Sequence, residues 1–316
     1  MNTKSTREAA MRAITELARE DDKIVLISPD AVAAARATKF REEFPDRVIE
    51  VGIAEQDAVD IAAGLATTGM KPVVVSYAGF LTMRACEMIR TFVAYPGLNV
   101  KLIGLNGGML GGEREGVTHQ FYEDVGILRS MPGVKILCPA DAQQAYHAAA
   151  AMMKLDGPAY LRLGSGREPE VFPEGTPYEF GKIREVLRYG DDVAIFASGF
   201  VMNRAIEAAE QLKAEGVNAT VIDVSTIKPL DSKGVAEVLS RTNCAVAVED
   251  HNFYGGMSSA ICEVACHYHP CRVLRLGLRD VYARSGKAAE LLDAYGLAVS
   301  DIVAAAKEAA AGKEKA

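Results

Sequence analysis

The sequence predicts an α/β protein built as two consecutive three-layer domains, each a mostly parallel sheet covered by helices on both faces. Three observations carry this prediction. Short runs rich in β-branched residues recur along the chain without polar–apolar alternation, as strands buried on both faces require. Alanine-rich stretches of helical length separate them. A turn-rich break, Gly164-Ser165-Gly166-Arg167-Glu168-Pro169 continuing through Pro173, Gly175 and Pro177, divides the series in two. The predicted layout is a first domain over 1–170, a linker over 171–188 and a second domain over 189–316.

In chain order, the first strand reads from Lys23 to Ser28 and ends on a Ser28-Pro29-Asp30 turn. Strands follow at Val48 to Val51, Pro72 to Ser76, Val100 to Leu105, Val134 to Leu137 and Ala159 to Leu163. Helices are predicted at Asp57 to Thr68, Thr82 to Ala94 and Ala142 to Lys154. Beyond the break, strands read at Val193 to Ser198, Ala219 to Asp223, Cys244 to Val248 and Arg272 to Leu276. Helices lie between them at Asn203 to Glu215, Ser232 to Thr242 and Gly256 to Tyr268, and the stretch from Ala304 to Ala316 reads as a fraying helix end.

At 316 residues and 49% hydrophobic content the chain is long enough for substantial cores. A net charge of −7 and a pI near 5.4 argue against a nucleic-acid or anionic-membrane surface. No apolar run reaches membrane-spanning length, and no apolar signal core adjoins Met1 to Arg7, so a cytoplasmic location is expected. Six cysteines are too few for a disulfide scaffold and sit mostly in apolar segments, as reduced core residues do. Cys262, Cys266, His267, His269 and Cys271 cluster suggestively, but no second paired set accompanies them and His267 leaves the face that Cys262 and Cys266 share, so no metal is assigned.

Glu55, in Val51-Gly52-Ile53-Ala54-Glu55-Gln56, opens a predicted helix among small apolar residues. Poor solvation there favours a neutral carboxyl that donates a hydrogen bond; an exposed first-turn glutamate complementing the helix dipole is the plainer alternative. The run Gly104-Leu105-Asn106-Gly107-Gly108-Met109-Leu110-Gly111-Gly112 ends a strand and allows close backbone approach to a ligand, although its spacing fits neither a dinucleotide nor a nucleoside-triphosphate loop. His119 follows it, where α/β sheets place catalytic groups; a buried structural histidine is the alternative. Glu249-Asp250-His251 is no relay, because successive residues of a strand face opposite ways.

In this order the pieces resemble the C-terminal half of transketolase, its pyrimidine-binding domain and C-terminal domain, over almost the whole chain. The matching segments are Phe44-Pro45-Asp46-Arg47, residues 52–56, Ala63-Gly64-Leu65-Ala66, Arg84 to Arg90, Thr118-His119-Gln120 and Pro139-Ala140-Asp141. In the second half they are 226–231, Glu249-Asp250-His251 with Gly255-Gly256, and Asp280 with Ser285-Gly286. The resemblance implies a thiamine diphosphate-dependent transketolase moving a two-carbon ketol unit from a ketose to an aldose. Glu55 then matches the glutamate on the aminopyrimidine nitrogen, and Tyr77 and Phe80 match aromatic residues lining that pocket, for which ordinary strand-end core is the other reading. Met83 and Cys86 stand where many members have further aromatics. His119 matches the histidine that moves protons on sugar hydroxyls, and Glu115 stands where an aspartate contacts a substrate hydroxyl, with Arg114 an insertion beside it.

The chain has no Gly-Asp-Gly motif of the kind that holds the diphosphate through Mg2+. The resemblance therefore implies a separate N-terminal transketolase subunit that supplies this site, in a heterotetramer of two copies of each chain, with the second domain serving dimerisation. Where the family grips a terminal phosphate, this chain has Ala34-Ala35, Asn106 and Ser165. Each lost charge-assisted contact costs about 1.5–3 kcal/mol, so ordinary sugar phosphates should bind poorly. Arg36 and Arg167 stand nearby and suit oxyanions, unless both are simply solvated. The expected substrate is a non-standard sugar with a differently placed phosphate, a sulfonate or no anion. Two alternatives stay open: the beta subunit of a 2-oxo-acid dehydrogenase, against which Thr118-His119-Gln120 and Glu249-Asp250-His251 speak, and a non-catalytic subunit of the same fold.

Overall fold

The computed structural model describes residues 3–112 and 115–312. Among these, the first sheet has seven strands, in the order Thr226–Lys228, Lys135–Leu137, Ala159–Arg162, Lys101–Leu105, Lys71–Tyr77, Ile24–Ser28 and Val48–Glu50. All neighbours run parallel except Thr226–Lys228, which pairs antiparallel with Lys135–Leu137. The second sheet has five strands among the described residues, in the order Arg272–Leu278, Cys244–Asn252, Val193–Ala197, Ala219–Asp223 and Arg184–Arg188. Only Arg184–Arg188 runs antiparallel to its neighbour. The predicted α/β plan of two mostly parallel sheets is the observed one.

Burial explains why the central strands lack alternation: Ile24–Ser28, Lys101–Leu105, Ala159–Arg162 and Val193–Ala197 are buried at every position. Helices Thr6–Glu20 and Ala142–Lys154 cover one face of the first sheet, through residues such as Ile14, Ala145 and Met152. The opposite face, with helix Glu55–Thr67, shares a continuous apolar layer with a face of the second sheet, from Val74 and Leu102 through Tyr160 to Phe196, Ala247 and Ile261. Burying each large side chain contributes roughly 1.5–3 kcal/mol, so this middle layer binds the two halves firmly. Helices Met202–Ala214 and Val299–Gly312 close the outer face of the second sheet.

Several local expectations differ from what is found. Residues 184–188, placed in the linker by the sequence, are the edge strand of the second sheet. Residues Thr226–Lys228, from the second half, complete the first sheet. The regular helix expected from Thr82 to Ala94 is instead two wide π-helical turns, Phe80–Arg84 and Ile89–Ala94, around Cys86–Met88. Helix Thr6–Glu20, capped by Ser5 Oγ accepting from the Glu8 amide at 3.2 Å, has no counterpart in the sequence reading. Of the tail expected to fray, the part up to Gly312 packs within helix Val299–Gly312, with Ala306 and Ala309 fully buried, while 313–316 lie outside the described residues. Arg114 lies outside the described residues. No described helix is long and apolar enough to cross a membrane.

Candidate functional site

Strand Lys71–Tyr77 delivers Ser76 and Tyr77 to the carboxyl edge of the first sheet, and helix Glu55–Thr67 begins beside it with Glu55 as its first residue. Glu55 is only 1% exposed. Its Oε1 accepts from Ser76 Oγ at 3.3 Å, and its Oε2 lies 2.5 Å from an Arg84 guanidinium nitrogen. The sequence foresees the dry surroundings but not the cation: Glu55 sits in an ion pair rather than alone. Arg84 comes from the first wide turn, which also carries Phe80 and Met83.

Next to this pair, Tyr77, Phe80, His119 and Phe121 form one ring cluster. Tyr77 meets Phe80 with centroids 5.9 Å apart and His119 at 5.3 Å. Phe80 meets His119 and Phe121 at 5.2 Å each, edge to face. Arg84 lies over the Phe80 ring, 4.6 Å from its centroid. A Cβ on Gly79 would come within 1.9 Å of Phe121, so this glycine makes room for the cluster. Met83 is 42% exposed, and Ile53, two residues before Glu55, is 73% exposed. His119 is half-buried, and its Nδ1 contacts Thr118 Oγ1 at 3.1 Å.

The glycine-rich run serves the protein's own packing. A Cβ on Gly108 would lie 2.0 Å from Asp250 Oδ2, and one on Gly112 would lie 2.6 Å from the His119 backbone. Gly108 exchanges backbone hydrogen bonds with Phe121, at 2.6 and 3.0 Å, and Asp250 accepts from the Met109 amide. Asp250 of the second half thus pins the loop that holds His119. Its neighbours act elsewhere: Glu249 caps helix Met257–Tyr268 by accepting from the Met257 and Ser258 amides, and His251 Nε2 accepts from the Gly126 amide at 3.2 Å. Beneath the ring cluster, Arg162 pairs with buried Asp124 at 2.9 Å and donates to the carbonyls of Phe121 and Asp250.

The predicted substrate residues divide. Asn106, buried and at φ 57°, accepts from the Arg7 guanidinium. Arg7 also donates to Gly164 O at 2.9 Å and to Ala34 O at 3.2 Å, so one side chain ties together the loops carrying Arg36, Asn106, Ser165 and Arg167. Arg7 is 8% exposed; burial lowers its pKa most, Glu168 and Tyr77 oppose this, and the charges of Arg36 and Arg167 add to the lowering. Arg36 and Arg167 are exposed and Ser165 is half-buried. Glu115 is exposed on the His119 loop. Sequence reasoning missed Arg7 and assigned Arg84 no role; the only local signal for Arg7 was its place just after a helix-capping serine.

Cys262 and Cys271 are half-buried and Cys266 is exposed; burial pushes the Cys271 thiol up to about 11. Among the described residues no group of three or more His, Cys, Asp or Glu is arranged to hold a metal ion.

Comparison with known proteins identifies the family. The family model "Transketolase, pyrimidine binding domain" matches residues 2–167, and "Transketolase, C-terminal domain" matches residues 181–302. A 6-deoxy-6-sulfo-D-fructose transketolase subunit of Clostridium sp. (strain MSTE9) is 35% identical over 96% of this chain and 93% of its own length. One of the subunits of an apulose-4-phosphate transketolase of Phocaeicola vulgatus is 34% identical over 94% of each chain. A solved split gene transketolase, described as an inactive beta4 tetramer, superposes with a TM-score of 0.90 at 36% identity, covering 99% of this chain and 100% of its own. Thiamine diphosphate dependence follows from the family. The chain belongs to the transketolases, spanning their pyrimidine-binding and C-terminal domains.

Proposed function

We propose that this chain, joined to an N-terminal transketolase subunit, transfers a two-carbon ketol unit from a ketose to an aldose whose recognition differs from that of the standard pentose phosphates. The observation that carries the site assignment is the pairing of a buried carboxyl, Glu55, with a half-open aromatic cluster. The buried acid and flat apolar walls suit an aminopyrimidine, so Tyr77, Phe80 and Met83 would hold its ring and Glu55 would share a proton with its nitrogen. When bound, thiamine diphosphate supplies the carbon nucleophile that accepts and releases the two-carbon unit. His119, standing on the same ring cluster, moves protons on the sugar hydroxyls, and Glu115 contacts one of them.

Arg7, with Arg36 and Arg167 near enough to perturb it, forms a cationic end to the site beside Asn106 and Ser165. This favours a sugar with an anionic far end over a neutral one, and two relatives are named for a sulfonated and a phosphorylated ketose. The companion subunit supplies the diphosphate and Mg2+ site, since this sequence has no Gly-Asp-Gly motif. The assembly is a cytoplasmic heterotetramer of two copies of each chain. Reconstitution with the companion, Mg2+ and thiamine diphosphate tests the reading: Glu55→Ala should nearly abolish ketol transfer, and normal turnover by this variant would reject the assignment. Full activity on xylulose 5-phosphate with ribose 5-phosphate would reject the substrate part alone.

A further inference from the structure

Arg84 makes both of the contacts that the coenzyme reading reserves for a ring. Its guanidinium meets Glu55 Oε2 at 2.5 Å and lies over Phe80, 4.6 Å from the centroid. A guanidinium is flat, presents N–H groups along its edge and stacks on aromatic faces, so it can satisfy a carboxyl and a phenyl ring together, as an aminopyrimidine would. Ser76 occupies only the other carboxyl oxygen, at 3.3 Å. The two partners differ sharply in burial: the Glu55 side chain is 2% exposed and that of Arg84 is 41% exposed. A buried carboxylate needs a compensating cation. In this chain taken alone the cation reaches the acid from the exposed side on a long side chain.

We infer that Arg84 competes with the aminopyrimidine for Glu55 and Phe80, and gives up both contacts when the coenzyme ring takes them. The inference rests on the assignment of Glu55 and Phe80 to the coenzyme ring. Arg84 is thus a positioning residue. It keeps the buried acid compensated, and it weakens coenzyme binding because the ion pair must break first.

Calorimetric titration of thiamine diphosphate into the complex of this chain with its companion subunit, in Mg2+, tests the inference. Arg84→Met should bind the coenzyme about tenfold more tightly than the parent complex, whereas a residue that merely supports the fold would leave affinity unchanged or weaken it. Equal or weaker binding by Arg84→Met overturns the inference. Glu55→Gln serves as the control for the underlying reading: if it changes neither affinity nor turnover, the coenzyme assignment itself fails, whatever Arg84 does. Thermal unfolding of the full chain alone gives a second measurement. Arg84→Met should lower the melting temperature and the added Glu55→Gln should restore it, since the uncompensated charge is then gone. An Arg84→Met chain as stable as the parent would show that no compensating pair had been lost, and would equally overturn the inference.

Discussion

Replacing Arg7 by Met separates the two jobs the structure gives this side chain. Methionine keeps the apolar stem that packs under the loops but removes every donor. Three acceptors then lose their partner: Gly164 O at 2.9 Å, Ala34 O at 3.2 Å and Asn106 Oδ1. At roughly 1 kcal/mol net for each hydrogen bond, unfolding in urea should show a loss of about 3 kcal/mol. The substrate effect is distinct. If the Arg7 charge reaches an anionic group on the sugar, losing one charged hydrogen bond costs about 1.5–3 kcal/mol, or roughly a 10- to 150-fold fall in kcat/KM. A neutral short ketose or aldose should be spared most of that fall. Arg7→Lys keeps the charge without the fork that reaches three acceptors, and should retain more of the acidic-substrate preference than of the stability. Parallel losses on acidic and neutral substrates would refute a contact with the anion and leave Arg7 as a loop tie alone. No loss in either assay would refute both roles.

Gly79→Ala places a Cβ where Phe121 now stands, so the ring must move and His119 with it; turnover in the reconstituted enzyme should fall at least about tenfold, and unchanged kinetics would show the ring cluster to be dispensable. Burial holds the Asp223 carboxyl protonated up to about pH 7, against hydrogen bonds from Gln144 and Ser225 that act the other way; its Oδ1 lacks a partner. The folded pKa thus lies above the unfolded one, so the unfolded chain releases its proton first. Stability should decline as pH rises from about 4 to about 7 and level off above. Asp223→Asn should flatten this slope and stabilise the protein at pH 8, as read from urea midpoints, while a steeper loss in the variant would contradict the proton's placement.

The strands were legible because complete burial leaves a simple trace, an apolar run without alternation, as at Val193–Ala197. Helix Ala142–Lys154 was equally plain, with Asp141 capping it and Lys154 at its end. Arg184–Arg188 escaped because its charged, half-exposed residues read as linker. The Thr226–Lys228 pairing could not be seen because its partner lies in the other half. The same distance hid the purpose of the glycine run, whose close neighbour Asp250 follows well over a hundred residues later. Glu55 and the aromatic residues stood out by type and order. The ion pair did not, because whether a carboxyl in apolar company meets a cation depends on a turn geometry, Phe80–Arg84, that helical periodicity misrepresents.

The strand Thr226–Lys228 bears on how this polypeptide could ever be dissected. Severed in the connector after residue 170, the leading fragment would lose the segment that covers Lys135–Leu137 and would display a bare row of amide and carbonyl groups. Such a rim recruits strands from other molecules. Fragments made there should clump rather than fold separately, so shuffling these two units as independent cassettes would require the donor segment to travel with the recipient sheet.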